Sequence, residues 1–244
     1  MGNKIKLSAL KEKRKEILKA FNLPTKILGI PAPYISYLFI RFTNISANQI
    51  TMFWIILQTF GISIIALGRY EWTIAGIIIS HIAMMLDQVD GDIARARKKF
   101  TIGGPYLDEI AQLVNRSVIL LAVGIGLYSS GLSIIYFYLG SVASLVFVLT
   151  SSIDTKMRQV LLERGLISKL KGKTKESIKS KIWLKKILSY FRPAEPMNIV
   201  YIALVFNLLN IAGYILIAYS ILIPLLFARK FYLIYKKAGN LKNG

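Results

Sequence analysis

The chain contains no cysteine, only one histidine, and few acidic residues compared with its basic ones. Without cysteine there is neither a disulfide nor a thiol nucleophile. With His81 as the single imidazole, a site made of several His or Cys ligands, of the kind that zinc prefers, is excluded. The 12 acidic residues stand against 32 basic ones, a net charge of +20. A divalent ion bound here would therefore depend on a few carboxylate oxygens.

Apolar residues are abundant, at 55% of the 244 residues, and the mean hydropathy is +0.53. This composition predicts an all-α integral membrane protein, with residues 1–244 forming a single domain. Because the basic residues flank the apolar runs, we expect anionic membrane lipids as partners and no nucleic acid. The runs predict a six-transmembrane-helix bundle within 45–230. The predicted spans are 47–68, 72–97, 105–128, 132–152, 197–209 and 211–227.

The N-terminal region, 1–30, is basic, and residues 4–20 interleave apolar side chains with lysines. This pattern favours an interfacial amphipathic helix on the membrane surface, the alternative being a solvated helix without membrane contact. Lysine and arginine concentrate at both termini, after the second span and in 156–192. By the positive-inside rule we expect a multi-pass protein of the cell membrane with N- and C-termini cytoplasmic.

Aspartates interrupt the apolar pattern where the second span ends and the third begins. Asp87, Asp90 and Asp92 lie in the second span, and Asp108 opens the third. A carboxylate at the bilayer centre costs about 2.5–3.5 kcal/mol, so acids there usually face a polar cavity and have a function. At about 100° per residue, Asp90 lies near the stripe of Asp87, whereas Asp92 points away and is left out of the predicted metal site. The other three predict an oxygen-lined site for Mg²⁺, Mn²⁺ or Ca²⁺.

Residues 87–112 resemble the signature of the CDP-alcohol phosphotransferase (CDP-alcohol phosphatidyltransferase) family, D-x2-D-G-x2-A-R-x8-G-x3-D-x3-D. The matching residues, with every spacing kept, are Asp87, Asp90, Gly91, Ala94, Arg95, Gly104 and Asp108. Gln112 stands where the family has its fourth aspartate. The resemblance implies metal-dependent transfer of a substituted phosphate from a CDP-alcohol or CDP-lipid to a small polar hydroxyl acceptor, with release of CMP, in phospholipid biosynthesis.

The resemblance also implies two Mg²⁺ or Mn²⁺ ions, held by Asp87, Asp90 and Asp108, to which Gln112 can add a carbonyl oxygen. It further implies a nucleotide site, and dimers are common in the family, so a homodimer is expected. The residues expected to line the nucleotide site are Asn48, Thr51, Asp90, Gly91, Ala94 and Arg95.

Two assignments leave alternatives open. Asn48 and Thr51 match a Pro-Asn-x-x-Thr turn that lies near the nucleotide in the family, with Ala47 in place of the proline; ordinary helix capping is the alternative. Lys156 and Arg158 follow the fourth span and are candidates for binding an acceptor phosphate, or else plain positive-inside anchors.

Gln112 leaves the general base open, because an amide cannot accept a proton at neutral pH. Glu109, about 60° around the helix from Gln112, is the nearest alternative carboxylate. A metal-bound hydroxyl is already acidified and needs little help. Alternatively, the protein is a catalytically impaired relative that binds a CDP-lipid without turnover. The candidate catalytic residues are thus Asp108, Glu109 and Gln112. A transporter with a midplane acidic site is disfavoured, because the acids lie toward one face.

Overall fold

The computed structural model describes residues 7–19, 23–98, 103–163 and 199–239. Within these ranges the regular secondary structure is helical, which confirms the predicted all-α fold. The helices are α1 (Leu7–Leu18), α2 (Leu23–Gly29), α3 (Ala32–Phe42), α4 (Ala47–Ile65), α5 (Tyr70–Arg97), α6 (Gly103–Ser129), α7 (Ile135–Glu163), α8 (Ile199–Val205) and α9 (Leu209–Gly239).

Five helices of the described ranges are long and apolar enough to cross a membrane: α4, α5, α6, the first part of α7 and most of α9. They correspond to the first four predicted spans and to the sixth, which is longer than the predicted 211–227. The predicted fifth span, 197–209, begins outside the described residues. Its described part, α8, has seven residues, about 10 Å of helix against a hydrocarbon core of about 30 Å. A sixth span stays a prediction.

The turn between α8 and α9 lies at the end of the bundle where α5 begins. Asn207 adopts a left-handed conformation with φ 54°, and the Leu208 N–H donates to the Ala203 carbonyl at 2.8 Å. The Tyr70 hydroxyl, at the first residue of α5, donates to the Val205 carbonyl at 2.9 Å. Because the aspartates lie near the other end of α5, α8 runs away from them and α9 returns toward their end of the bundle.

Small residues let the spanning helices approach closely. A Cβ at Gly76 of α5 would lie 2.5 Å from the Gly61 carbonyl oxygen of α4, and one at Gly124 of α6 would lie 2.5 Å from the Tyr136 carbonyl oxygen of α7. Gly140 of α7 faces Gly124 at the same crossing. Such backbone contacts are typical of membrane helix pairs, and they set which faces of α4, α5 and α6 meet at the site.

Two apolar clusters fill the bundle, and the smaller one supports the aspartates. Its buried members are Ala32, Ile50, Trp54, Ala83, Leu86, Val89, Ile93 and Ala111, from α3 to α6. Val89 and Ile93 are fully buried and alternate along α5 with Asp87, Asp90 and Asp92. Each aspartate is therefore held at a fixed angle around a helix that cannot rotate without exposing this cluster.

The N-terminal helix docks on the bundle. Leu10 is 7% exposed and Arg14 is 4% exposed, and α1 contacts α3 and α2. The predicted helix at 4–20 is thus present over Leu7–Leu18, while residues 1–6 and 20–22 lie outside the described residues. Its contact with a membrane surface stays a prediction.

Candidate metal and nucleotide site

Three of the predicted metal ligands lie near one another, two on α5 and one on α6, and both helices pack against α4. The carboxyl groups of Asp87 and Asp108 are within hydrogen-bonding distance, and both interact electrostatically with Asp90. The ion pairs found among the described residues both involve Asp92, none of these three. In the same part of the chain no three His, Cys, Asp or Glu side chains form a ready-made cation cage. The arrangement is a concentration of negative charge, and the Arg116 guanidinium is close enough to Asp87 to act on it electrostatically without forming an ion pair in the described ranges.

Asp90 is held by α4. Its Oδ2 accepts hydrogen bonds from the Thr51 hydroxyl at 2.6 Å and from Trp54 Nε1 at 3.0 Å. Thr51 was predicted as a nucleotide contact, and its observed partner is the carboxylate. Trp54 was not predicted; it lies three residues after Thr51 on the same helix face, a spacing that alone does not separate a donor from a core residue. Both donors act on one oxygen and so orient the carboxylate.

Asn48 lies in the first turn of α4 without capping it. Ser46 is the N-cap: its hydroxyl accepts from the Gln49 N–H at 3.3 Å, and the Gln49 side chain accepts from the Ser46 N–H at 2.8 Å. This reciprocal pair is a capping box. Helix capping is therefore the wrong explanation for Asn48, which is half-buried one turn before the Asp90 donors.

Gln112 links Asp108 and Arg116 through side-chain hydrogen bonds along α6. Its Nε2 donates to Asp108 Oδ1 at 3.0 Å, and its Oε1 accepts from Arg116 Nη2 at 3.0 Å. Since a guanidinium only donates, the amide oxygen must face Arg116. The oxygen has a second lone pair, so accepting from Arg116 leaves it able to ligate a metal. Glu109 is exposed on α6, whereas Asp108 is half-buried.

Asp92, which the helical angle separates from the metal candidates, is paired with two guanidinium groups. It is 4% exposed, and its Oδ1 accepts from Arg95 Nη2 at 2.7 Å. Its Oδ2 accepts from Arg14 Nη2 at 2.6 Å and from the Ser36 hydroxyl at 3.2 Å. Arg14 and Ser36 were not predicted, because nothing distinguishes Arg14 from the other basic residues of its run.

Arg95 lies over the small residue of the signature. A Cβ at Gly91 would be 3.1 Å from Arg95 Nη1, so any larger residue there would press on the guanidinium. The Arg95 side chain remains 31% exposed. Ala94 is half-buried beside it. The predicted nucleotide contacts on α5 thus lie together next to Asp90.

Lys156 lies at the same level of the bundle as Asp108. Gly124 and Gly140 cross, and Asp108 and Lys156 are each 16 residues from that crossing (124 − 108 and 156 − 140), about 24 Å along their helices. Lys156 is exposed and donates to Gln159 at 3.2 Å. The side chain of Arg158 lies outside the described residues.

Comparison with known proteins assigns the chain to a family. The sequence profile described as CDP-alcohol phosphatidyltransferase matches residues 44–226, which is 183 of the 244 residues. The chain belongs to this family. No curated protein matches it. As a member of this family it is a transferase of phospholipid biosynthesis. With five helices in its described ranges that are long and apolar enough to cross a membrane, it is a multi-pass membrane protein.

The residues present fit the divalent metal on which the family generally depends. Asp87, Asp90 and Asp108 supply oxygen donors only, which suit hard cations such as Mg²⁺ and Mn²⁺. Carboxyl groups as close as those of Asp87 and Asp108 repel one another when both are ionised. Asp87 and Asp108 would lose that repulsion on holding a divalent cation. The family match begins at residue 44, so Arg14 and Ser36 lie outside it.

Proposed function

We propose that this phosphotransferase moves a phosphatidyl-type group from a CDP-activated lipid or alcohol to the hydroxyl of a small polar acceptor and releases CMP. The observation that supports it is the proximity of Asp87, Asp90 and Asp108, none of which forms an ion pair in the described ranges. The Arg95 guanidinium lies over Gly91, the residue after Asp90. Carboxylates that hold divalent cations, together with a partly exposed guanidinium, are suited to binding a diphosphate.

In this proposal the three aspartates hold two Mg²⁺ or Mn²⁺ ions. When bound, the ions neutralise charge on the diphosphate and the leaving CMP and acidify the acceptor hydroxyl. Thr51 and Trp54 keep the Asp90 carboxylate in one orientation. Gly91 leaves space for the diphosphate beside Arg95.

The remaining predicted contacts surround this centre. Asn48, Thr51 and Ala94 line the nucleotide site near Arg95. Lys156 and Arg158 bind an acceptor phosphate where the acceptor carries one. Lys156 lies at the level of Asp108, which supports this position.

The acceptor proton has two proposed routes. In the first, Glu109, exposed at the carboxylate end of α6, takes the proton. In the second, no protein base is needed, because a metal held by the three aspartates would acidify the hydroxyl. Gln112 cannot act as a base, and its amide N–H donates to Asp108.

A second candidate function is binding of a CDP-lipid without turnover. The specific observation that favours it is that Gln112, at the position of the family's fourth aspartate, has its amide hydrogen-bonded between Asp108 and Arg116 and supplies no base. Nucleotide binding with no CMP release would identify this function.

We place the protein in the cell membrane with six spans, both termini in the cytoplasm and the basic segments on anionic lipids. The direction of α8, from beside His81 in α5 toward Tyr70, supports a further crossing before α9. A single domain of 1–244 and a homodimer complete the proposal.

The test is CMP release by the purified chain with CDP-diacylglycerol, Mg²⁺ or Mn²⁺ and a panel of hydroxyl acceptors. We expect one acceptor to stimulate release, and we expect EDTA and Asp87→Asn each to abolish it. Glu109→Gln separates the two proton routes, since it slows release only if Glu109 is the base. Gln112→Asp tests the binding-only alternative: activity in this variant alone means that the natural chain binds without turnover. Silence in both proteins, with no nucleotide binding, refutes the proposed function.

A further inference from the structure

A buried ionic network connects the N-terminal helix to α5. Arg14 donates to Asp92 Oδ2 at 2.6 Å and to the Gln88 carbonyl at 2.6 Å, and its Nη1 reaches Gln88 Oε1 at 3.3 Å. The side chains of Arg14 and Asp92 are each 5% exposed. A buried charge of this kind depends on its partner, because removing one partner leaves the other without solvent or counter-charge. Docking of α1 therefore depends on this pair.

The network also determines the charge beside the nucleotide site. Asp92 divides its oxygens between two guanidinium groups, Arg14 on Oδ2 and Arg95 on Oδ1. Two positive charges against one negative leave one positive charge in excess. Of the two guanidinium groups, that of Arg95 is the more accessible, at 31% exposure against 5%. Arg14 thus prevents Asp92 from neutralising Arg95 completely.

The geometry directs this remaining charge toward the signature. Asp92 holds Nη2 of Arg95, and the whole guanidinium lies over Gly91, with Nη1 at 3.1 Å and Nη2 at 3.2 Å from the position that a Cβ would take there. Gly91 follows Asp90, whose carboxylate is oriented from α4. A guanidinium held on one side by a carboxylate can present its other N–H groups to an anion in a defined orientation.

Arg14 differs from its neighbours on α1 in the direction of its side chain. Glu12, Lys13, Lys15 and Glu16 are exposed, whereas Arg14 is buried against α5. Arg14 also precedes the family match, which starts at residue 44. Its part in the site is therefore a property of this chain's own N-terminal helix.

We propose that α1 completes the nucleotide site, with Arg14 and Asp92 acting as positioning residues that hold Arg95 over Gly91 to bind the diphosphate of the donor. This inference rests on the proposed function, because the anion is taken to be that diphosphate. Loss of Arg14 lets Asp92 pair with Arg95 alone. Loss of Asp92 releases Arg95 and leaves Arg14 buried without its carboxylate.

The kinetic test compares Arg14→Gln, Asp92→Asn and the double variant in the full chain. We expect the KM for the CDP donor to rise roughly tenfold or more in each single variant, since each loses a hydrogen bond between charged groups. The acceptor KM should stay unchanged. The donor KM of the double variant should not exceed the higher of the two single-variant values, because the two residues act as a pair. Arg14→Lys should restore part of the donor affinity, and Lys13→Gln, which removes an exposed charge from the same helix, should have no effect.

A second measurement does not require activity. The chain has no cysteine, so a thiol introduced by Leu10→Cys is the only one, and docking of α1 keeps this position 7% exposed. We expect Asp92→Asn to accelerate its reaction with a water-soluble maleimide severalfold. A thiol at the exposed neighbour, Ala9→Cys, should react at the same rate with or without Asp92→Asn.

The outcomes separate the two proposals. A natural chain that releases no CMP refutes the proposed function, and the labelling rates then still decide whether Asp92 holds α1. An active chain whose donor KM is unchanged by Arg14→Gln and Asp92→Asn overturns the inference. So does a fall in thermal stability without a change in donor KM, because that result assigns the pair a purely structural role.

Discussion

The hydrogen bond between Thr51 and Asp90 offers a sharp test of how α4 prepares the site. Thr51→Val keeps the shape of the side chain and removes the hydroxyl that donates to Asp90 Oδ2 at 2.6 Å. A hydrogen bond to a charged group contributes about 1.5–3 kcal/mol, and about 1.4 kcal/mol corresponds to tenfold in an equilibrium constant. Trp54 still holds the same oxygen at 3.0 Å, so the lower end of this range applies. We expect the apparent affinity for Mg²⁺ in CMP release to fall about tenfold.

The assay is a Mg²⁺ titration of CMP release at saturating donor and acceptor. Thr59→Val is the matched control, because Thr59 is exposed and lies on the same helix. Among the contacts described, its hydroxyl donates only to the Ile55 carbonyl one turn earlier, at 2.9 Å. Thr51→Ser retains the hydroxyl and should keep most of the affinity. Equal Mg²⁺ dependence of Thr51→Val and the natural chain would refute the idea that α4 orients Asp90 for a metal.

Three further predictions concern stability, each measured by thermal unfolding in one detergent. Gly124→Ala should lower the free energy of unfolding by about 1–3 kcal/mol, since the added Cβ would meet the Tyr136 carbonyl oxygen at 2.5 Å. The control is Gly103→Ala, because Gly103 has open space around it. Equal unfolding midpoints of the two variants would contradict the close crossing of α6 and α7. Arg97→Gln should destabilise the chain by about 1–3 kcal/mol, because Arg97 donates to the Thr43 and Ile45 carbonyls at 2.7 and 2.5 Å in the connection before α4; an unchanged midpoint would show that these bonds contribute nothing. Asn207 has φ 54°, a left-handed conformation that glycine adopts readily and alanine does not. Asn207→Gly should therefore be neutral or stabilising, and Asn207→Ala should destabilise the chain by about 1 kcal/mol. The reverse order would contradict the left-handed turn.

Much of the site was predictable because it depends on local spacing. Asp87, Gly91 and Arg95 recur at helical intervals on one element, and the separation of Asp87 from Asp92 around α5 follows from about 100° per residue. The angle alone put Asp92 outside the metal group, and the structure places its carboxylate with Arg14 and Arg95. Hydropathy likewise predicted the first four spans, because a membrane helix needs a long apolar run wherever it lies in the bundle.

Other features depend on which helix faces meet, and no local pattern encodes that. Trp54 reads as a core aromatic until α4 packs on α5 and brings its Nε1 within 3.0 Å of Asp90. Arg14 resembles its basic neighbours until α1 docks and buries it against Asp92. The sequence by itself determined an all-α membrane protein with aspartates grouped at one end of its helices, since composition and helical periodicity are local properties. Only the tertiary structure decided which donors orient those carboxylates, because hydrogen bonds between residues 36 to 78 positions apart form only through helix packing.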